Sequence, residues 1–428
     1  MWQYTAKIVF ITLMAVSILL AITIYLTNKT RQSNLPDSLK TTSIVKKTSL
    51  HSVENPLLNQ HDIALNYYQK GLSYYKRYRA QDNKIAIDFF NKALSHAPTL
   101  SLAYAGLSQA YAQQAFQFSG GKSEQQKAID NAYQAIVYDN HSSESYKALG
   151  TAYYVSGWLS KSIDPYLKSL TLSANNTDTI SNLGFIYSEQ GKLLEALKWD
   201  ETALRLEPEH VVSMVHAGQT LARLGKIRLA QYWYNKAIDK QPDYLLATFH
   251  LAKLYTNQQK FLTAQQLLQS ALNAYQNHPL LLEGLADNYY FQGQKALAQT
   301  LYQKIIKANN NVSHAAIMLY ILSTKPNHQN WQALVEPLKL ALKAGSDKAN
   351  YSYYLALLYA KKNQHQLAIR YLVQSVEQGL TMQSKINFQP IFNKLKTRDS
   401  FLKIITNLQQ KNHALASKAD LSFWQLNL

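Results

Sequence analysis

A period of 34 residues constrains this chain more than any other feature. Small residues stand one period apart at Gly150, Gly184, Gly218, Ala252 and Ala286, and three residues after each comes Tyr153, Tyr187, Leu221, Tyr255 or Tyr289. A second small position follows at Ser162, Ala196, Ala230, Ala264 and Ala298, then a bulky or polar one at Tyr166, Asp200, Tyr234, Leu268 and Tyr302. The third position holds Ser169, Ala203, Ala237, Ala271 and Ile305, and Pro208 and Pro242 close two of the units. Gly and Ala at such places let neighbouring helix backbones approach, while the large residues between them fill the space left over. Units of this length bury their apolar faces only by stacking.

The spacing is similar to that of the tetratricopeptide repeat, a helix-turn-helix unit, so the expected fold class is an all-α superhelical solenoid. Upstream, Gly71, Tyr74, Ala86, Phe90, Ala93 and Pro98 make a weaker unit with about three extra residues in its turn. Leu107, Ser108, Tyr111, Ala128, Ala132 and Ala135 make another, whose turn is expected to be lengthened by roughly eight residues around Phe116 to Gln126. Downstream come a degenerate unit, Ile317 to Leu322 and Leu334 to Leu342, and a last one with Ala356, Tyr359, Ala368 and Leu372. About eight units are expected over residues 61–380, with a C-terminal helical cap and tail over 381–428. Pro165 and Pro337 fall inside second helices, where kinks or late helix starts are expected.

The beginning of the chain has another character. After a short tail, residues 1–7, Ile8 to Leu26 carries no charge and approaches the ~20 residues that a helix needs to cross a bilayer, so a transmembrane anchor is expected over 8–26. Residues 27–60 are rich in Ser, Thr, Asn and Lys without an apolar period, the composition of a flexible tether. Lys7 on one side against Lys29, Arg31 and Lys40 on the other favours a cytoplasmic solenoid by the positive-inside rule.

Ala64 to Ala112, with its Ala103-Tyr104-Ala105-Gly106-Leu107 helix, resembles the opening of the repeat regions of bacterial membrane-spanning winged-helix regulators and of some adenylate cyclases. Ile386 to Leu408 is similar to the ending of related bacterial repeat domains. In the regulators the repeats lie outside the cytoplasmic membrane, so the resemblance implies a single-pass inner-membrane protein with a periplasmic solenoid, against the charge count. It also implies an interaction or sensing module without its own output domain.

Chemical motifs are sparse. Phe118-Ser119-Gly120-Gly121-Lys122-Ser123 ends like a phosphate-binding loop, but Phe116 stands where its first glycine belongs. The 12 His never take a metal-ligand spacing, there is no Cys, and no nucleophile motif occurs, so neither an enzyme nor a cofactor or metal site is expected. The net charge of +18 is mostly Lys spread thinly, which reads as a solvated basic surface; nucleic acid is not an expected partner.

The sharper expectation concerns the concave groove. In such solenoids, residues one after, four after and three before the small position of each first helix project into it. The candidates are Tyr68, Tyr75, Lys147, Tyr154, Phe185, Val215, Gln219, Phe249, Lys253, Glu283, Asp287 and Tyr290. Largely aromatic and apolar, this face suits an extended peptide or a partner helix. The expected function is a membrane-anchored, non-enzymatic adaptor or assembly factor that holds a protein or peptide partner in the groove. A sensory module signalling through its membrane helix and a binder of anionic polymer or lipid are the alternatives.

Overall fold

The computed structural model describes residues 56–118, 120–308, 314–324 and 328–425. The anchor expected over 8–26 lies outside the described residues, as does the tether up to residue 55. Among the described residues no helix is long and apolar enough to cross a membrane. On that finding the expected localisation, a single-pass inner-membrane protein with a periplasmic solenoid, is corrected and not carried further.

Every regular element among the described residues is helical, and none is a strand. The first four helices are long: α1 (Pro56–Tyr75), α2 (Ala80–His96), α3 (Ser101–Gln117) and α4 (Lys122–Tyr138). From α5 (Ser143–Val155) and α6 (Leu159–Leu172) through five pairs the helices settle to 13 and 14 residues. They continue as α7 (Thr177–Glu189) and α8 (Leu193–Leu206), α9 (Val211–Arg223) and α10 (Ile227–Lys240), and α11 (Leu245–Asn257) and α12 (Phe261–Ala274). Next come α13 (Pro279–Phe291) and α14 (Lys295–Ala308), α15 (His314–Leu322) and α16 (His328–Lys343), and α17 (Ala349–Lys361) and α18 (His365–Glu377). Among the described residues nine helix pairs result, one for each unit named from the sequence, where about eight were expected.

Two local expectations are revised. The extra residues of the second unit do not lengthen its turn: α3 and α4 each reach 17 residues, one helical turn more than α5, and only residues 118–121 separate them. Adding about one turn to each helix keeps its apolar face in phase, which an insertion into the turn does not require. Pro165 and Pro337 do not delay their helices either; α6 and α16 begin six and nine residues ahead of them and run through.

The close approach behind the 34-residue period is direct. A Cβ at Gly218 would stand 2.5 Å from the Tyr234 ring, and one at Gly150 would stand 2.7 Å from the Tyr166 ring. In these two units the first helix therefore lies against a ring of its own second helix. The turns repeat with the same period: Gly157, Gly191, Gly225, Gln259 and Gly293 all have left-handed backbone, with φ of 92°, 73°, 73°, 60° and 81°. Glycine takes this conformation without penalty, and Gln259 is the exception.

The superhelix winds tightly enough for successive turns to touch. Arg79, in the first turn, pairs with Asp243 at 2.5 Å, and Tyr78 meets Tyr244 edge-on at 4.8 Å between ring centroids. Farther along, Asp347 reaches α6, whose own N-cap residue Trp158 offers no side-chain acceptor. Its carboxylate accepts from the backbone N–H of Leu159 at 2.7 Å and of Ser160 at 2.8 Å, so the helix is capped from 188 residues away. Ser346 Oγ donates to the Gly157 carbonyl beside it at 2.8 Å.

The end of the chain closes the array. α19 (Gln383–Asn387), a 3-10 turn (Pro390–Phe392) and α20 (Asp399–Lys418) bury Ile386, Phe392, Leu395, Phe401, Ile404 and Leu408 against the last pairs. A final short helix, α21 (Ser422–Gln425), then places Trp424, 0% exposed, edge-on against Trp233 of α10 at 5.7 Å. Phe423 lies beneath the Arg205 guanidinium, 4.7 Å from its ring centroid. The tail therefore braces the middle of the solenoid as well as its end.

Candidate peptide-binding cavity

Six successive first helices, α1, α3, α5, α7, α9 and α11, curve around a cavity of about 950 Å³. Its size is at the upper end for ligand pockets. Seven of the twelve groove candidates line it: Tyr68, Tyr75, Lys147, Tyr154, Phe185, Val215 and Gln219. The seam described above, Tyr78 against Tyr244, stands at its edge.

An aromatic ladder forms one wall. Phe116 meets Tyr154 edge-on at 5.6 Å, Tyr154 meets Phe185 edge-on at 5.2 Å, and Phe185 stacks on His216 at 4.7 Å. Each contact joins one first helix to the next, so the ladder follows the curvature of the solenoid. Such offset and edge-on geometries suit the ring quadrupoles and give the wall little freedom to move. Burial holds the His216 imidazole down at about 3 and the His250 imidazole well below its ordinary value, so both are neutral near pH 7. Burial likewise pushes the Tyr68 phenol up to about 12.

Opposite charges meet at one place. Lys147 Nζ lies 2.6 Å from Glu144 and 3.3 Å from Asp178, and His210 Nε2 lies 3.1 Å from the other oxygen of Asp178. Asn176 donates to Glu144 at 3.0 Å. Burial works to lower the Lys147 pKa, but Asp178 and Glu144 outweigh it and the net shift is upward. For Asp178 burial works upward, and Lys147 and His210 outweigh it, leaving the carboxyl far below the usual carboxylate range. The ammonium side chain is only 8% exposed, whereas Glu144 and Asp178 are 29% and 46% exposed. Thus Lys147 is the most enclosed member of a cluster in which all three groups line the lumen.

The other five candidates lie outside this cavity. Phe249 is 6% exposed, and Lys253 rests over its ring at 5.4 Å. Asp287 pairs with His314 at 2.7 Å and accepts from the Tyr302 hydroxyl. Burial pushes Glu283 upward. Tyr290, 4% exposed, donates its hydroxyl to Gln389 of the cap at 2.5 Å, and Gln389 in turn donates to Tyr353 at 3.3 Å. Here the cap occupies the concave side.

Several cavity residues escaped the sequence rule. His216 and His250 stand two residues before their small positions, and Glu144 and Asp178 six before, all outside the three offsets used. The two carboxylates are one period apart, a signal that could have found them. Tyr78 and Tyr244 belong to different superhelical turns and carry no local signal. The phosphate-loop-like segment offers no cradle: Glu124 Oε2 accepts from the Gly121 N–H at 2.9 Å and fills the N-terminus of α4 itself. Among the described residues no group of three His, Cys, Asp or Glu is placed to hold a metal ion.

No family model matches the chain, and no curated protein matches it. Among solved structures it is similar to a monomeric mutant of IFIT1 in complex with Gppp-AAAA, at 16% identity over 75% of each chain with a TM-score of 0.51. Yeast Tom70 shares 13% identity over 82% of this chain and 93% of its own, with a TM-score of 0.43. YrrB, described as a TPR protein with an unusual peptide-binding site, shares 22% over 46% of this chain and 97% of its own, with a TM-score of 0.29. At such identities the likeness concerns the helical-repeat fold alone.

Proposed function

We propose that this tetratricopeptide-type solenoid is a non-enzymatic interaction scaffold that holds an extended peptide segment of a protein partner in the cavity formed by its first six pairs. One observation carries the reading: seven candidate side chains, chosen by repeat position, converge on a single cavity walled by six consecutive first helices. A continuous wall of this kind offers a run of similar sites to a chain laid along it, which suits a peptide better than a compact small molecule. The adaptor or assembly role within the cell follows from such binding.

The IFIT1 structure contains Gppp-AAAA, which raises RNA as a second occupant. The ionisable lining argues against it here. Glu144, Asp178 and Glu207 stand in the lining with Lys76 and Lys147, and Glu209 is paired with Lys240, a balance that does not favour phosphate. Photo-crosslinking in cells from probes at Tyr75 and Phe185, with a probe at exposed Lys198 on α8 as control, tests the proposal. A discrete protein adduct shared by the two cavity probes and missing from Lys198 is expected. Silence from both cavity probes in the folded protein, or an RNA adduct, sinks it.

A further inference from the structure

We infer that the segment held in this cavity is positively charged, with a Lys or Arg side chain seated against the Glu144–Asp178 pair. The inference rests on the peptide-scaffold reading and specifies its partner by charge.

Charge reversal is the first argument. The chain as a whole carries +18, yet the cavity lining holds four carboxylates and two ammonium groups. A basic protein that keeps an acidic lumen repels its own kind of charge outside and accepts it inside. Glu207, Glu209 and Lys76 are exposed and Glu209 is paired with Lys240, so the charge that counts inside is that of the Glu144–Lys147–Asp178 cluster, which the protein walls screen less.

The charged cluster is also graded in exposure, from 8% at Lys147 to 46% at Asp178. Lys147 is the least exposed of the three groups, and although every oxygen of the two carboxylates already has one partner, an ionised carboxylate has lone pairs for more and the trio keeps a net negative charge. An incoming ammonium or guanidinium adds to this arrangement without displacing Lys147. A carboxylate or phosphate meets two oxygens of its own sign before it can reach the cation. Rings stand nearby to receive the apolar stem and the charge, among them Tyr75 and Phe185.

Unspent hydrogen-bonding groups supply the third. Thr177, 4% exposed and next to Asp178, lines the cavity with a hydroxyl that has no partner. Gln219 Oε1 is also buried and unpartnered, while its amide nitrogen is engaged with His250 at 2.6 Å. Gln219 Oε1 can only accept and Thr177 Oγ1 readily does, so both favour an occupant rich in N–H donors, as a peptide backbone with basic side chains is.

The test is selection of a random-peptide phage library on the immobilised full chain, followed by fluorescence anisotropy of the selected peptides at rising salt. Expected are sequences enriched in Lys and Arg that weaken with salt and are lost on Phe185→Glu. They should also bind roughly tenfold more weakly to the triple variant Glu144→Gln, Asp178→Asn, Lys147→Met, which removes the buried ammonium together with its partners. Peptide composition and salt dependence are read on the unaltered chain, so the answer survives even if the triple variant fails to fold. Neutral or acidic peptides that still depend on Phe185 overturn the charge inference and leave the scaffold reading standing. Recovery of no peptide overturns both.

Discussion

The first six pairs and the last three are built from the same repeat, yet one region encloses a cavity and the other has none of the groove candidates free. In the first, Tyr75, Phe185 and Gln219 border a lumen of about 950 Å³. In the second, Tyr290 is spent on Gln389, because the segment after α18 folds against it, and Asp287 is spent on His314 of α15. The repeat dictates where a side chain points; whether that direction leads to a ligand depends on what the rest of the chain places there. The seams differ in the same sense. The first seam, at the edge of the cavity, combines the half-exposed Arg79–Asp243 pair with the Tyr78–Tyr244 ring contact, whereas the far seam rests on a buried serine and a helix cap, and the tail on a tryptophan with no exposure.

The contrast predicts a graded set of responses. Trp424→Ala should be the most damaging, at ~3–5 kcal/mol in urea unfolding, because it removes a fully buried ring that ties the tail to α10. A loss below about 1 kcal/mol would mean that the tail does not brace the middle of the solenoid.

The cavity region should also contain a pH-dependent weak point. Asp200 fills the place that Tyr166 and Tyr234 fill in neighbouring units, with no exposure, one oxygen accepting from Thr220 at 2.8 Å and the other unpartnered. Burial raises its pKa to about 8, above the ordinary 3.8. The folded state then holds a proton that the unfolded state has released. The associated stability is fully present below about pH 3.8 and is lost as pH rises to about 8, with a limiting slope of ~1.4 kcal/mol per pH unit. Asp200→Asn should therefore be more stable than the unaltered protein at pH 7, by up to a few kcal/mol on that slope, and flatter between pH 5 and 8. Equal pH profiles for the two proteins would show that the carboxyl is ionised in the fold.

Smaller effects should separate the seams. Asp347→Ala removes two backbone caps from α6 and should cost ~1–2 kcal/mol, with faster amide exchange at Leu159 and Ser160. Arg79→Ala breaks a pair whose arginine is 54% exposed and should cost no more than ~1 kcal/mol, less at high salt. If Arg79→Ala proves the costlier of the two, the ranking of the seams is reversed.

Much of the helical scaffold was legible because the repeat is a local code. Gly218 and Tyr234 are 16 residues apart and touch within one unit, so a short window of sequence contains both partners. The insertion near Phe116 was misplaced because sequence counts residues but does not say whether they extend a turn or two helices. The cavity was half legible. Three offsets found Tyr75 and Phe185 but passed over Glu144 and Asp178, one period apart in the first turns of α5 and α7, because those offsets sample only the later part of each first helix. Nothing local in the sequence linked Tyr78 to Tyr244 or Asp347 to Leu159, since those contacts depend on the accumulated rotation of several units.

By itself, then, the sequence determined that this protein is a stack of paired helices, because small and large residues at fixed offsets suit only one kind of close packing between neighbours. The tertiary structure decided that the stack winds back on itself, that its first six pairs leave a cavity and that its end covers the rest. Pitch and closure sum small angles over many units, and no single repeat encodes that sum.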